Sequence, residues 1–311
     1  MADKRSHLSA RVRGLRVSIN HFRVLLAGDA FAFVSLALLV IIIGIAVIGP
    51  AYMSDFATAL DLSLRNAPPF TDENGWLFWL GADALGRPLI ARLIVAAQPT
   101  LLIATSAVIA AMLAGGILGL AAGYFGGLAD NVIMRMADVL MSFPSLLLAI
   151  FALYVLGPSI PAVVIVLGIT RMPIYIRVAR AESLSIREQL FIESARAAGA
   201  RRRRIIGVHI TPLILPTLLT VATLDFANVM LAESALSFLG LGIQPPELSW
   251  GLMVAAGRDY LTSAWWVSLW PGFAILLTAL SANLVSNWLR IAMDPRLRWR
   301  LERRWGDSDV E

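Results

Sequence analysis

AFAFVSLALLVIIIGIAVI, residues 30–48, carries no charge and sits in a neutral stretch bounded by Asp29 and Asp55. At a rise of about 1.5 Å per residue, roughly 20 apolar residues in a helix match the ~30 Å hydrocarbon core of a bilayer. A charge at the bilayer centre costs at least about 2.5–3.5 kcal/mol on insertion scales, so charge-free runs mark crossings. A second such run lies between Arg92 and Asp130, with its apolar body at 100–122. The run between Asp138 and Arg171 is too long for one crossing and is broken by Gly157, Pro158 and Pro161. It therefore reads as two helices, 139–156 and 160–176, joined by a tight turn. Residues 213–232 and 266–289 supply a fifth and a sixth. The expected fold is an all-α integral membrane protein with six transmembrane helices.

Composition agrees. Of 311 residues, 58% are hydrophobic and 15% charged, too few charges to coat a soluble domain of this size. Disorder is excluded by the same abundance of apolar residues. The absence of cysteine excludes disulfide scaffolds, thiolate nucleophiles and cysteine metal sites. Among 26 basic residues only Lys4 is a lysine, and no glycine-rich loop precedes it. A P-loop needs a lysine to reach the phosphates, so any ATP and Mg must be bound by a partner, and no cofactor is expected in this chain.

The basic residues also assign the sides. With the N-terminus inside, the segments 1–29, 124–138, 171–212 and 290–311 hold 22 Lys or Arg, and the outer segments 51–97 and 233–265 hold 4. Cytoplasmic loops are enriched in this way, so both termini are expected in the cytoplasm. The first apolar run is longer than a signal-peptide core and lacks an A-x-A site, so it is read as a retained anchor. Trp265, Trp266 and Trp288 fall near the ends of the last helix, where interfacial anchoring is their simplest reading.

The inner segment 187–216, REQLFIESARAAGARRRRIIGVHITPLILP, reads as a short helix, a turn at glycine and a second helix. Extended back to Arg177 it carries eight basic residues. Alone, this is either a loop touching anionic lipid or a docking surface. Glu193-Ser194-Ala195, followed by Gly199 and Pro212, resembles the EAA signature of ABC importer permeases, with Ser194 in place of an alanine. The resemblance implies that the loop, 180–212, is the coupling element that meets the ATPase, with Gly199 at its turn.

Further blocks resemble the C-type permease subunit of the dipeptide/oligopeptide/nickel importers. These are Leu80-Gly81-Ala82-Asp83-Ala84-Leu85-Gly86-Arg87-Pro88, the inner positions Gly123 to Gly127 with Asp130, Arg135, Asp138 and Phe143-Pro144, and the outer segment from Glu233 to Gly242 with Pro245, Pro246 and Ser249-Trp250-Gly251. The tail, Leu289-Arg290 and Asp294-Pro295-Arg296, matches with Ile291 in place of an acidic residue. Ala82 and Pro88 also depart from the family form. The resemblance runs from 80 to 298 and implies a type I ABC importer permease fold. It implies segments 1–29 (cytoplasmic), 30–97 (first helix and periplasmic loop), 98–290 (permease core) and 291–311 (cytoplasmic tail). The implied partners are a homologous second permease, two ATPases and a periplasmic or lipid-anchored solute-binding protein, in a bacterial cytoplasmic membrane. The implied cargo is di- or oligopeptides, with nickel or another small solute as the alternative.

Asp225 is the acidic residue well inside a crossing. Intramembrane carboxylates line cavities or pair with neighbours, so it is both a candidate for the translocation path and a candidate structural partner, with pairing the commoner outcome. Arg171 is expected to snorkel to the inner headgroups, and Arg177, Arg180 and Glu182 to form a solvated face. Arg201 to Arg204 point to lipid headgroups or the ATPase rather than nucleic acid. His7, His21 and His209 all fall in inner segments, and no H-E-x-x-H is present, so the chain is not expected to be an enzyme. Pro144, Pro173, Pro212, Pro216 and Pro271 fall in or at the ends of crossings, with Gly115, Gly116 and Gly119 inside the second; small residues let helices approach closely. An ion-coupled secondary transporter would show an inverted repeat, and none is detected.

Overall fold

The computed structural model describes residues 29–70 and 75–293. The inner segment before Asp29 and the tail from Asp294 onward, with Lys4, His7, His21 and the Asp294-Pro295-Arg296 block, lie outside the described residues. The described residues form helices joined by turns and loops, with no strand among them. Its helices are α1 (Ala30–Thr58), α2 (Leu89–Phe125), α3 (Gly127–Ser142), α4 (Ser145–Leu156), α5 (Ile160–Arg187), α6 (Leu190–Ala197), α7 (Thr211–Phe238), α8 (Trp250–Gly257) and α9 (Trp266–Met293). Arg202–Arg204 and the π-turn Ile205–Ile210 lead into α7.

Among the described residues, five helices are long and apolar enough to cross a bilayer: α1, α2, α5, α7 with its lead-in, and α9. The sixth crossing differs from the expectation. Residues 139–156 are not one helix, because the chain bends by 91° between α3 and α4. Phe143 leaves helical geometry ahead of Pro144, as the residue before a proline is pushed to do. Counting the bent pair as one crossing gives six.

α1 is apolar on all sides, as a lipid-facing helix should be. Asp29 caps it by accepting from the Ala32 N–H at 3.3 Å. It packs on α2 and α9, and Ala32 meets the buried Trp288 where α9 ends. α2 starts at Leu89, inside what the sequence assigns to the outer loop, so Arg92 is a buried helical residue.

The centre of the bundle is the α2–α5 pair. Gly115, Gly119 and Gly123 recur every four residues on one face of α2, against the backbone of α5. A Cβ on Gly115 would lie 2.6 Å from the Met172 carbonyl, and one on Gly123 2.7 Å from that of Arg180; one on Gly119 would press into the Ile176 carbonyl and sit 2.8 Å from the Ala179 Cβ. In lipid, helices associate through close packing rather than through exclusion of water, so this stripe is what holds the pair together. One apolar cluster fills the outer and middle bundle, from Leu89 to Trp250 and Ala282. A second occupies the inner end, built on Tyr124, Tyr175, Ala179, Ile186, Ile192, Ile205 and Ile210.

Candidate functional site

The inner loop is a short amphipathic helix seated on that second cluster. Ile192 of α6 is fully buried in it, and Glu193 and Ser194 are exposed, with Ala195 between these extremes. α6 ends at Gly199, whose φ of +79° lies in the left-handed region that a side chain disfavours. There the Ala200 N–H donates to the Ala195 carbonyl at 3.0 Å, a Schellman closure. The exposed Arg201 to Arg204 follow, and Pro212 then stands just after the π-turn that leads into α7. Two arginines fasten the seat to the end of α2. Arg187 Nη1 donates to the carbonyls of Gly123 (3.0 Å) and Tyr124 (3.4 Å), and the Arg196 guanidinium lies 5.9 Å over the Tyr124 ring.

Beside this loop α3 is tied across α5. Asp130 pairs with Arg180, whose Nη2 donates at 2.7 Å, and Asp138 pairs with Arg177 at 2.7 Å. Thr217 of α7 donates to Glu182 at 3.3 Å. Arg180 and Glu182 are thus bracing groups that join α3 and α7 to α5 rather than a solvated face, and Arg177 bridges to α3 while staying exposed, as expected from its sequence. Arg135 is exposed on α3. Asp130→Asn leaves Arg180 without its carboxylate partner and is expected to lower the unfolding temperature; thermal unfolding of the purified complex checks this.

At mid-bundle, Asp225 of α7 is buried and faces α5. Tyr175 donates its hydroxyl to Asp225 at 3.4 Å, and Arg171 Nη1 lies 3.7 Å from the other carboxylate oxygen. Arg171 accordingly turns inward to the carboxylate instead of snorkelling to the headgroups. No feature of the sequence marks Tyr175 as the third member, since an apolar crossing accommodates a tyrosine as readily as a phenylalanine.

The outer motif positions form two knots. Asp83 is buried and accepts from the backbone N–H groups of Leu85 (2.9 Å) and Arg87 (3.0 Å) and from Arg87 Nε (2.8 Å), and Arg92 Nε pairs with it at 3.4 Å. Gly86 has φ +73° with the Asp61 carbonyl packed where a Cβ would stand. Trp266 Nε1 donates to the Ala82 carbonyl at 3.2 Å, so this tryptophan is a buried clamp on the knot rather than an interfacial anchor. Trp288 is buried as well, and Trp265 alone of the three is exposed. In the second knot Glu233 is fully buried, accepting from Ser237 at 2.7 Å and Ser234 at 3.3 Å. Trp250 then joins α8 to α2: its N–H donates to Thr100 (3.1 Å) and its Nε1 to the Leu93 carbonyl (3.0 Å). Among the described residues no group of three or more His, Asp or Glu is placed to hold a metal ion.

The motif positions thus gather at the outer knots and the inner braces. A family model described as binding-protein-dependent transport system inner membrane component matches residues 115–299. The chain is 40% identical over 265 residues to a putative peptide transport system permease protein of Brucella suis biovar 1 (strain 1330), covering 85% of this chain and 88% of that one. It is 42% identical over 232 residues to a di/tripeptide transport system permease protein of Pseudomonas aeruginosa (strain UCBPP-PA14), covering 74% and 77%. Among solved structures, a chain of the inward-facing MetNI methionine ABC transporter superposes with a TM-score of 0.50 at 17% identity, covering 65% of this chain and 98% of that one, a likeness of fold. The family match opens at Gly115, in the glycine stripe of α2, and runs past the end of α9. The matched region therefore takes in the inner part of α2, α3 to α9 and the inner loop, and the chain belongs to the family of inner membrane components of binding-protein-dependent transport systems.

Proposed function

We propose that this chain is the permease subunit of an ATP-driven importer that carries di- or oligopeptides across a bacterial cytoplasmic membrane. It works with a homologous second permease, two ATPases that bind ATP and Mg, and a periplasmic or lipid-anchored solute-binding protein. The peptide assignment is supported by the names of the relatives and by the extent of the likeness to them.

The observation that carries the mechanism is the seating of α6. Ile192 anchors the helix in the inner cluster, and Glu193 and Ser194 face outward, free to meet an ATPase. Closure of the ATPases moves α6, and the Ile192 seat passes that movement to the inner ends of α5 and α7. The close α2–α5 contact makes those two helices move as one body, which switches the side to which the path opens. Gly199 matters because proline, locked near φ −65°, cannot take its conformation.

The test is the reconstituted complex with its binding protein and a dipeptide. Glu193→Ala and Gly199→Pro are each expected to lower peptide-stimulated ATP hydrolysis roughly 5- to 150-fold, the range of a coupling free energy of about 1–3 kcal/mol. Basal hydrolysis by the ATPases is expected to persist. Stimulation that survives both substitutions would refute the coupling role, and stimulation by nickel but not by peptide would reassign the cargo.

A further inference from the structure

We propose that the inner end of α7 and the facing turns of α2 form a binding site for an anionic phospholipid. Its phosphate meets Arg201 to Arg204, and an acyl chain lies in an apolar groove between the two helices. The site requires both helices to cross the membrane with the arginines on the cytoplasmic side, as in the permease reading above, and is independent of the cargo.

The groove begins at a glycine. Gly115, Gly119 and Gly123 press α2 against α5, whereas Gly116 is turned toward α7. A Cβ there would meet only the end of the Leu218 side chain, at 3.1 Å. The space left open is lined by Leu113, Gly116 and Ile117 of α2 and by Thr211, Leu215 and Leu218 of α7. It measures about 120 Å³, of the order of the ~150 Å³ apolar cavity that takes up benzene. Leu113, Ile117 and Leu215 are exposed, so the groove opens on the surface of the chain. The one hydroxyl on its lining is spent locally, since Thr211 Oγ donates to the Ile206 carbonyl at 2.9 Å. Such a surface selects hydrocarbon.

The charge stands just before it in the chain. Arg201 to Arg204 are all exposed, and among the described residues no ion pair involves any of them. Successive helical residues point about 100° apart, so Arg202, Arg203 and Arg204 sweep more than half of the helix circumference. They spread positive charge around the helix end instead of along one face. The exposed Val208, Leu213 and Leu215 follow, so apolar surface replaces charge within a few turns. A guanidinium is costly in hydrocarbon, and the run therefore stays at the headgroups while α7 continues into the core. Thr211 and Leu218 lie seven and fourteen residues beyond Arg204. That is roughly 10 and 21 Å at helical rise, against about 15 Å for one leaflet's half of the core. Arginines and groove thus span one leaflet.

Basic residues at the cytoplasmic mouth of a pocket between membrane helices are the arrangement that holds an anionic headgroup. An ATPase lies outside the bilayer and meets arginines there, but it does not reach Leu215 and Leu218. A phospholipid satisfies the unpaired charge and the apolar groove with one molecule. The groups that face the ATPase, Glu193 and Ser194 on α6, precede the turn at Gly199, and the arginine run follows it.

The whole complex, purified in detergent, would be titrated with palmitoyl-oleoyl phosphatidylglycerol or with the phosphatidylcholine of the same chains, and bound lipid counted by native mass spectrometry. Phosphatidylglycerol with a diazirine on one acyl chain would locate the tail by cross-linking. Wild type is expected to hold phosphatidylglycerol at least about tenfold more tightly than phosphatidylcholine, and to cross-link within 112–120 and 211–218. Each arginine near anionic lipid is worth about fivefold, so Arg202→Gln, Arg203→Gln and Arg204→Gln together are expected to weaken phosphatidylglycerol about a hundredfold. Lysine at the same three positions keeps the charge and is expected to stay within a few-fold of wild type. Leu215→Trp, on the exposed lip of the groove, is expected to weaken both lipids and displace the cross-links while the headgroup preference remains. Equal retention of the two lipids by wild type would overturn the site. Cross-links absent from both segments would overturn it too, and give the groove to the second permease. A triple glutamine variant that loses the ATPases but holds phosphatidylglycerol as wild type does would assign the arginines to the ATPase instead.

Discussion

Gly119→Leu is expected to abolish the folded permease, with no stable complex recovered from the membrane. The side chain would enter the contact between α2 and α5, where the Ile176 carbonyl and the Ala179 Cβ already occupy the space. Overpacking in a well-filled core typically costs about 1–3 kcal/mol, and more when the obstacle is backbone rather than a side chain that can rotate away. The obstacle at Gly119 is backbone, and the neighbouring turns at Gly115 and Gly123 make the same approach, so the helix cannot roll to relieve the clash. Gly119→Ala should already lower the unfolding temperature of the purified complex. Gly44→Ala on α1 is the control, because nothing lies within 4 Å of a Cβ there. It is expected to be neutral, or stabilising by up to about 1 kcal/mol through helix propensity alone. Equal unfolding temperatures for Gly119→Ala and Gly44→Ala would remove the glycine stripe from the account of the fold.

The second large effect is expected at mid-bundle. Asp225→Leu leaves the Arg171 guanidinium without its carboxylate partner and takes the acceptor from the Tyr175 hydroxyl. Breaking a buried ion pair from one side costs about 3–5 kcal/mol. The pair is loose at 3.7 Å and the Arg171 side chain is 22% exposed, which places the loss near the lower figure. Removing both charges is a different experiment. Arg171→Leu with Asp225→Leu leaves no orphaned charge, and such replacements are often neutral or stabilising. The double variant is therefore expected to unfold close to the wild-type temperature, and a double-mutant cycle over the four proteins measures the coupling. The same four proteins separate the two readings of Asp225. A double variant that is stable and still imports peptide makes the carboxylate a brace between α5 and α7. A stable double variant that has lost import makes it part of the path.

The motif residues show where legibility stops. Asp83, Gly86 and Arg87 stand out in the sequence as a block, yet the block itself does not say that Asp83 gathers two backbone N–H groups and two guanidinium groups into a knot at the start of α2. Asp130 and Asp138 stand out likewise, while their partners Arg180 and Arg177 read as ordinary solvated charges until α3 is laid across α5. Ile192, the residue that seats the inner helix, is one isoleucine among many and has no sequence signal of its own. Trp266 reads as an interfacial anchor because tryptophan is common there. It is a buried clamp because the turn at Ala82 happens to present a carbonyl to its ring nitrogen.

By itself the sequence determined the solvent and the number of crossings to within the bent pair, and it set the expectation for the side on which the basic residues lie. These follow from the free energy of moving single residues into hydrocarbon, which is local, additive along the chain and large for every charge. Only the tertiary structure decided which charges are braces, which glycines are contacts and where the chain bends between α3 and α4. Those depend on how far each helix is rotated and slid against its neighbours. A shift of one residue on an α-helix turns a side chain by about 100°, enough to carry Asp225 away from Arg171 with no change in the hydropathy of either crossing.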